Sequence, residues 1–126
     1  MNEIIKQGID SASLALAYWG AEKENILNFN RNIAISQEHE LSLVNCEEAI
    51  TAAQALLDEQ VKIAEKLAAD NKLIKADYEK YLEWLQTTYT TLQELYDKYP
   101  NPFLKVSIDT LGRIITVIKT IIRIFN

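Results

Sequence analysis

Between Ala21 and Tyr99 the chain contains neither glycine nor proline. Glycine loosens a helix and proline breaks its hydrogen-bond ladder, so nothing in the covalent chemistry of that span compels an interruption. The whole sequence of 126 residues has only three glycines and two prolines. A sheet protein of this size needs many more turn formers to reverse direction between short strands. The expectation is an all-α chain: a single domain over 1–126, built as a four- or five-helix bundle with long antiparallel helices and a C-terminal amphipathic helix.

Apolar spacing places the elements. Ile4, Ile5, Ile9, Ala12, Leu16 and Trp19 recur every three or four residues, which predicts a helix over about 3–19. Asn2 is its cap, and Gly20 its expected stop, because glycine accepts the left-handed conformation that ends a helix. Asn45 followed by Cys46, Glu47 and Glu48 reads as an N-cap with first-turn acids, dividing the middle into helices of about 22–43 and 46–69. Asp70-Asn71 is the next pair with turn character. A continuous rod from 46 to 98 would be about 80 Å long. A hairpin turning near 70–72 packs its own apolar stripes and is the expected arrangement, giving a further helix over about 72–98. Pro100-Asn101-Pro102 then ends that helix, and Asn101 with Pro102 starts a last one over about 102–125.

A heptad pattern of the coiled-coil kind runs through the second half of the chain. Ile50, Leu57, Ala64, Asn71, Tyr78, Leu85, Leu92 and Tyr99 occupy one position, and Ala53, Gln60, Leu67, Ile74, Tyr81, Thr88 and Leu95 the complementary one. Flanking Leu56, Val61, Ile63, Ala68, Leu82, Tyr89 and Tyr96 widen the stripe beyond a two-stranded seam, which favours a multi-helix bundle.

Charge is unevenly distributed. The net charge is -5, but residues 1–100 carry 9 basic and 17 acidic side chains while residues 101–126 carry 4 and 1. An acidic body repels phosphate backbones, so nucleic acid is not an expected partner. In the basic segment, Leu111, Ile114, Ile115, Ile118, Ile121, Ile122 and Phe125 share one helical face, opposite Asp109, Arg113, Thr116, Lys119, Thr120 and Arg123. Three cations interrupt the apolar run, so this helix is not expected to span a bilayer. Three roles fit it: a core helix docked by its isoleucine face, an interfacial helix on an anionic membrane surface, or a helix laid into a partner's groove. Its richness in Ile, Val and Thr favours strands, in conflict with its helical period.

The chemistry available is sparse. His39 is the sole histidine, so no site needing two imidazoles from one chain can form. It lies between Glu38 and Glu40 and reads as a solvated side chain. Cys46, the sole cysteine, allows no intrachain disulfide and reads as a small packing residue in a cytoplasmic protein. The acidic pairs Glu22/Glu24, Glu38/Glu40, Glu47/Glu48 and Asp58/Glu59 read as first-turn charges and solvated faces. No Gly-rich phosphate loop, nucleophile elbow or cysteine pair for metal is present. No cofactor is expected.

Tyr78, Tyr81, Trp84, Tyr89, Tyr96 and Tyr99 fall mostly on the apolar stripe and read as core aromatics, with Trp84 slightly off the seam. Trp84 and Trp19 are the candidates for closing a helix interface or anchoring a partner. These observations lead to the expectation of a non-enzymatic helical protein-interaction module, structural, adaptor or inhibitory in kind, that binds a protein partner or self-associates. The alternative is a membrane-active protein, peripheral to the bilayer, using the C-terminal helix through Arg113, Lys119, Arg123, Ile114, Ile118, Ile121 and Phe125.

Overall fold

In a computed structural model the described residues form a bundle of four helices, α1 (Glu3–Asn30), α2 (Gln37–Ala69), α3 (Lys75–Lys98) and α4 (Pro102–Arg123). The structure describes the backbone of residues 1–30 and 37–125 and the side chains of 1–28 and 40–125. Among the described residues there is no strand.

Capping sets several of the ends. Asn2 Oδ1 accepts from the Ile4 N–H at 3.0 Å, and the Asn2 carbonyl accepts from Lys6 at 3.0 Å. Asn101 Oδ1 accepts from Phe103 and Leu104 at 2.8 and 3.3 Å, with Pro102 in the first turn, as the sequence predicts. The turn between α2 and α3 sits at the expected Asp70-Asn71. Lys72 N–H donates to the Leu67 carbonyl at 2.8 Å and Asn71 N–H to Ala68 at 3.0 Å, while Asn71 holds φ 55°. That pair of bonds around one left-handed residue is the Schellman closure of a helix. The third helix therefore starts at Lys75 rather than 72.

Two expected boundaries are corrected. Helix α1 runs through Gly20, which has no positive φ. The residue's missing side chain serves packing instead: a Cβ there would stand 2.6 Å from Val106 Cγ1 on α4. Likewise α2 continues through Asn45, which is exposed, while Cys46 next to it is buried. A polar residue before two acids is equally at home on the solvated face of a continuous helix, so the apparent cap carried no terminating force.

Successive helices run up, down, up and down. Lys23 on α1 pairs with Glu47 on α2 at 3.6 Å, and Gly8 lies against Gln60, so the two run antiparallel. Gly112 faces Tyr89, and Lys105 lies over the Tyr96 ring at 5.8 Å, which fixes α3 and α4 antiparallel. Helix α4 packs against each of the other three, whereas among the described residues α3 makes a close backbone approach to α4 alone. The core follows from this centrality: Ile5, Ile9, Ala12 and Leu16 from α1, Ala53, Leu57 and Ala64 from α2, Tyr78 and Leu85 from α3, and Ile114, Val117, Ile118 and Ile121 from α4. Burying each of the isoleucines, leucines and valine among these contributes about 1.5–3 kcal/mol before entropy is counted. The strand preference of α4 is overridden by that burial. Its threonines also satisfy their hydroxyls within the helix, Thr116 on the Gly112 carbonyl at 3.0 Å and Thr120 on Thr116 at 2.9 Å.

Candidate functional site

The predicted membrane- or partner-binding residues of α4 separate into two groups. Ile114, Ile118 and Ile121 are buried and Phe125 is half-buried against the core, so the isoleucine face is the inside of the bundle. Arg113, Lys119 and Arg123 are exposed on the opposite arc. Arg113 donates to Gln54 Oε1 on α2 at 3.0 Å. Among the described residues, Lys119 and Arg123 have no ion pair within 4 Å, whereas Lys105 reaches Asp109 at 3.7 Å.

The two tryptophans are not brought together. Trp19 is half-buried and meets Tyr18 edge to face at 5.0 Å. Trp84, by contrast, is 60% exposed and stacks on Tyr81 at 6.1 Å with the rings 10° apart. It lines an open recess of about 350 Å³ with Met1, Glu3, Lys6, Asp10 and Tyr81, at one end of the seam between α1 and α3. A second recess, lined by Glu24, Tyr96, Pro100, Asn101, Pro102 and Lys105, marks the other end. Leu95 (44% exposed) follows Trp84 on the same flank of α3, eleven residues on, which is close to three whole turns of a helix, and Tyr99 (69%) is exposed at the non-helical C-cap just beyond it.

This flank corrects the reading of the aromatics as core. Only Tyr78 of the six is fully buried; Tyr81, Tyr89 and Tyr96 are half-buried and Trp84 and Tyr99 are exposed. A wide stripe needs a close neighbour on each side, and among the described residues the backbone of α3 comes close only to α4. The heptad puts Leu95 on the complementary position, whose seam drifts outward along α3, and there it is exposed.

The N-terminal end of the same seam carries an ion pair and a buried phenol. The Met1 ammonium lies 3.2 Å from Asp77 Oδ2, and next to it the buried Tyr78 hydroxyl finds no hydrogen-bond partner. Burial pushes the Tyr78 phenol up to about 12, with the Asn2 backbone acting against this and Asp77 adding to it. Burial likewise raises Tyr81, with Asp10 adding, and raises Cys46, with Glu22 adding. A thiol held protonated in a closed interface is a packing group.

The acidic pairs are spread along the helices. Glu47, Glu48, Asp58 and Glu59 are exposed, and Asp58 accepts from Gln54 at 2.8 Å. The side chains of Glu38 and His39 lie outside the described residues. Among the described residues no group of three or more His, Cys, Asp and Glu is placed to hold a metal ion, and no helix is long and apolar enough to cross a membrane. Comparison with protein families, curated proteins and solved structures finds no match to this chain.

Proposed function

We propose that this chain is a non-enzymatic helical protein-interaction module, structural, adaptor or inhibitory in kind, that takes a protein partner along the outer flank of α3. One observation carries the reading: Trp84, a side chain of large apolar area, is held 60% exposed on a rigid helix and braced by the stacked Tyr81 ring. Exposed aromatics on rigid elements are the usual anchors of protein interfaces. Leu95 extends the flank, and a helix with i, i+4, i+7-type anchors fits such a surface.

The test is affinity capture from the native host with the whole chain and a Trp84→Ala variant. A specific partner recovered by the parent and lost by the variant, with unchanged circular dichroism, is the expected result. Identical recoveries from both would end the proposal.

The membrane-surface reading is favoured by a different observation, the exposed cations Arg113, Lys119 and Arg123. It requires α4 to leave the bundle, since its apolar face is occupied by the core. Flotation of the whole chain with anionic vesicles tests it, and a chain that stays in the soluble fraction at low salt removes it.

A further inference from the structure

Two charged stripes of opposite sign lie side by side on the face of α3 and α4 that does not carry Trp84. On α3, Glu79, Glu83, Gln86, Thr90, Glu94 and Asp97 follow one another at steps of three and four residues, and all are exposed. On α4, Lys105, Asp109, Gly112, Thr116, Lys119 and Arg123 have the same spacing, all exposed except the half-buried Gly112. An open recess of about 460 Å³ joins the two stripes at their middles, lined by Gln86, Tyr89, Thr90, Gly112, Ile115 and Lys119.

The antiparallel register set by Gly112 against Tyr89 and Lys105 over Tyr96 puts Glu79 level with Arg123, Glu83 with Lys119 and Asp97 with Lys105. These opposite charges share a level without pairing across the seam: among the described residues none of the three pairs comes within 4 Å, Lys105 instead reaching Asp109 within α4 at 3.7 Å. The centres of both stripes are neutral, with glycine and threonine on α4 and glutamine and threonine on α3.

We propose that this face is the interface of a symmetric dimer of the chain, with the twofold axis running parallel to the helices along the α3–α4 seam. Such an axis keeps every residue at its own level while laying α3 of one copy over α4 of the other. Glu83 of each copy then meets Lys119 of its mate, Glu79 meets Arg123, and Asp97 meets Lys105. The neutral centres close over the half-buried Tyr89 and Ile115. A twofold axis across the helices would instead lay acid on acid, so charge selects the axis.

Charge also selects the occupant. An acidic helix, a phosphate backbone or an anionic membrane would be drawn by α4 but repelled by the four acids of α3 beside it. A surface bearing both signs at matched levels is complementary to itself. The interface lies on the other flank of α3 from Trp84, so it stands or falls separately from the partner reading.

Sedimentation equilibrium of the whole chain, at about 0.01 M and about 0.5 M salt, tests the proposal. The parent is expected to dimerise at low salt and to weaken at high salt. Lys119→Glu and Glu83→Lys, both at exposed positions and checked for fold by circular dichroism, should each weaken the dimer about tenfold. The double variant Glu83→Lys/Lys119→Glu should return close to the parent, because the reversed pairs again carry opposite signs. A parent that stays monomeric at low salt, a dimer indifferent to the single reversals, or a double variant as weak as the singles would each overturn it.

Discussion

The carboxamide of Gln60 on α2 rests directly on the bare backbone of Gly8 on α1, in the space a Cβ at position 8 would occupy. Gln60 is buried, its Nε2 donates to the Leu56 carbonyl at 3.2 Å, and its Oε1 has no partner. The missing methyl group on one helix is thus what admits a polar side chain from the other. Gly8→Ala and Gln60→Ala should therefore be coupled. With Gln60 present, the Gly8→Ala methyl displaces a buried amide and is expected to cost about 1–2 kcal/mol, overpacking outweighing helix propensity. In a Gln60→Ala background the same change should be neutral or stabilising by up to about 1 kcal/mol. Urea denaturation of the four-member cycle checks the sign reversal.

Tyr78 offers a pH test. Its phenol is buried without a partner and pushed up to about 12, against an ordinary value of 10.0. The folded state therefore holds this proton more tightly than the unfolded one. The resulting stability is fully present below pH 10 and is lost as the pH climbs towards about 12, by about 1.4 kcal/mol per unit. Tyr78→Phe should flatten this loss, leaving the smaller contribution of Tyr81. At neutral pH it should be stabilising by about 1 kcal/mol, since it removes an unsatisfied buried hydroxyl. Thermal unfolding from pH 7 to 11 reads both effects.

Asn71 holds the left-handed position that closes α2. Asn71→Gly should raise stability slightly or leave it unchanged, while Asn71→Ala should cost about 1–2 kcal/mol, the penalty of placing an ordinary side chain there. Because the position is exposed, the difference between the two midpoints in urea reports backbone conformation rather than lost packing.

At Gly20 the neighbour is stiffer than at Gly8. Val106 is β-branched, so it has little freedom to move aside from a new methyl group. Gly20→Ala should cost about 1–3 kcal/mol, and Val106→Ala in the same chain should recover most of it. If instead Gly20→Ala proves stabilising, α1 and α4 do not approach as closely as described.

How much of this was legible beforehand depends on whether the signal was periodic or terminal. The isoleucine face of α4 and the α1 positions Ile5, Ile9, Ala12 and Leu16 were visible because burial repeats every turn. Asn101-Pro102 and Asp70-Asn71 were visible because their chemistry acts on the adjacent backbone. Gly20 and Asn45 misled for the complementary reason: a glycine that ends a helix and one that admits a neighbour look alike until the neighbour, Val106, is in place. The heptad of the second half held its phase across the turn, so Leu57, Ala64, Tyr78 and Leu85 are all buried although they sit on two helices. What a single strand of letters does not encode is how many neighbours a stripe receives. Leu95 has the pattern of a covered face and Trp84 lies just off it, on a helix whose backbone, among the described residues, comes close only to α4, and the matched levels of Glu83 and Lys119 exist only once α3 and α4 are in register.

Because α4 is the keystone and comes fourth in order, manufacture of the protein outruns its closure. While the first hundred residues emerge, α1 and α2 can already clasp as a hairpin, but α3 lacks α4, the helix it packs against most closely. The nascent chain must wait with one greasy wall open to water, a stage at which chaperones find purchase. A version stopped short of Pro102 is expected to light up a hydrophobic dye that the longer chain leaves dark.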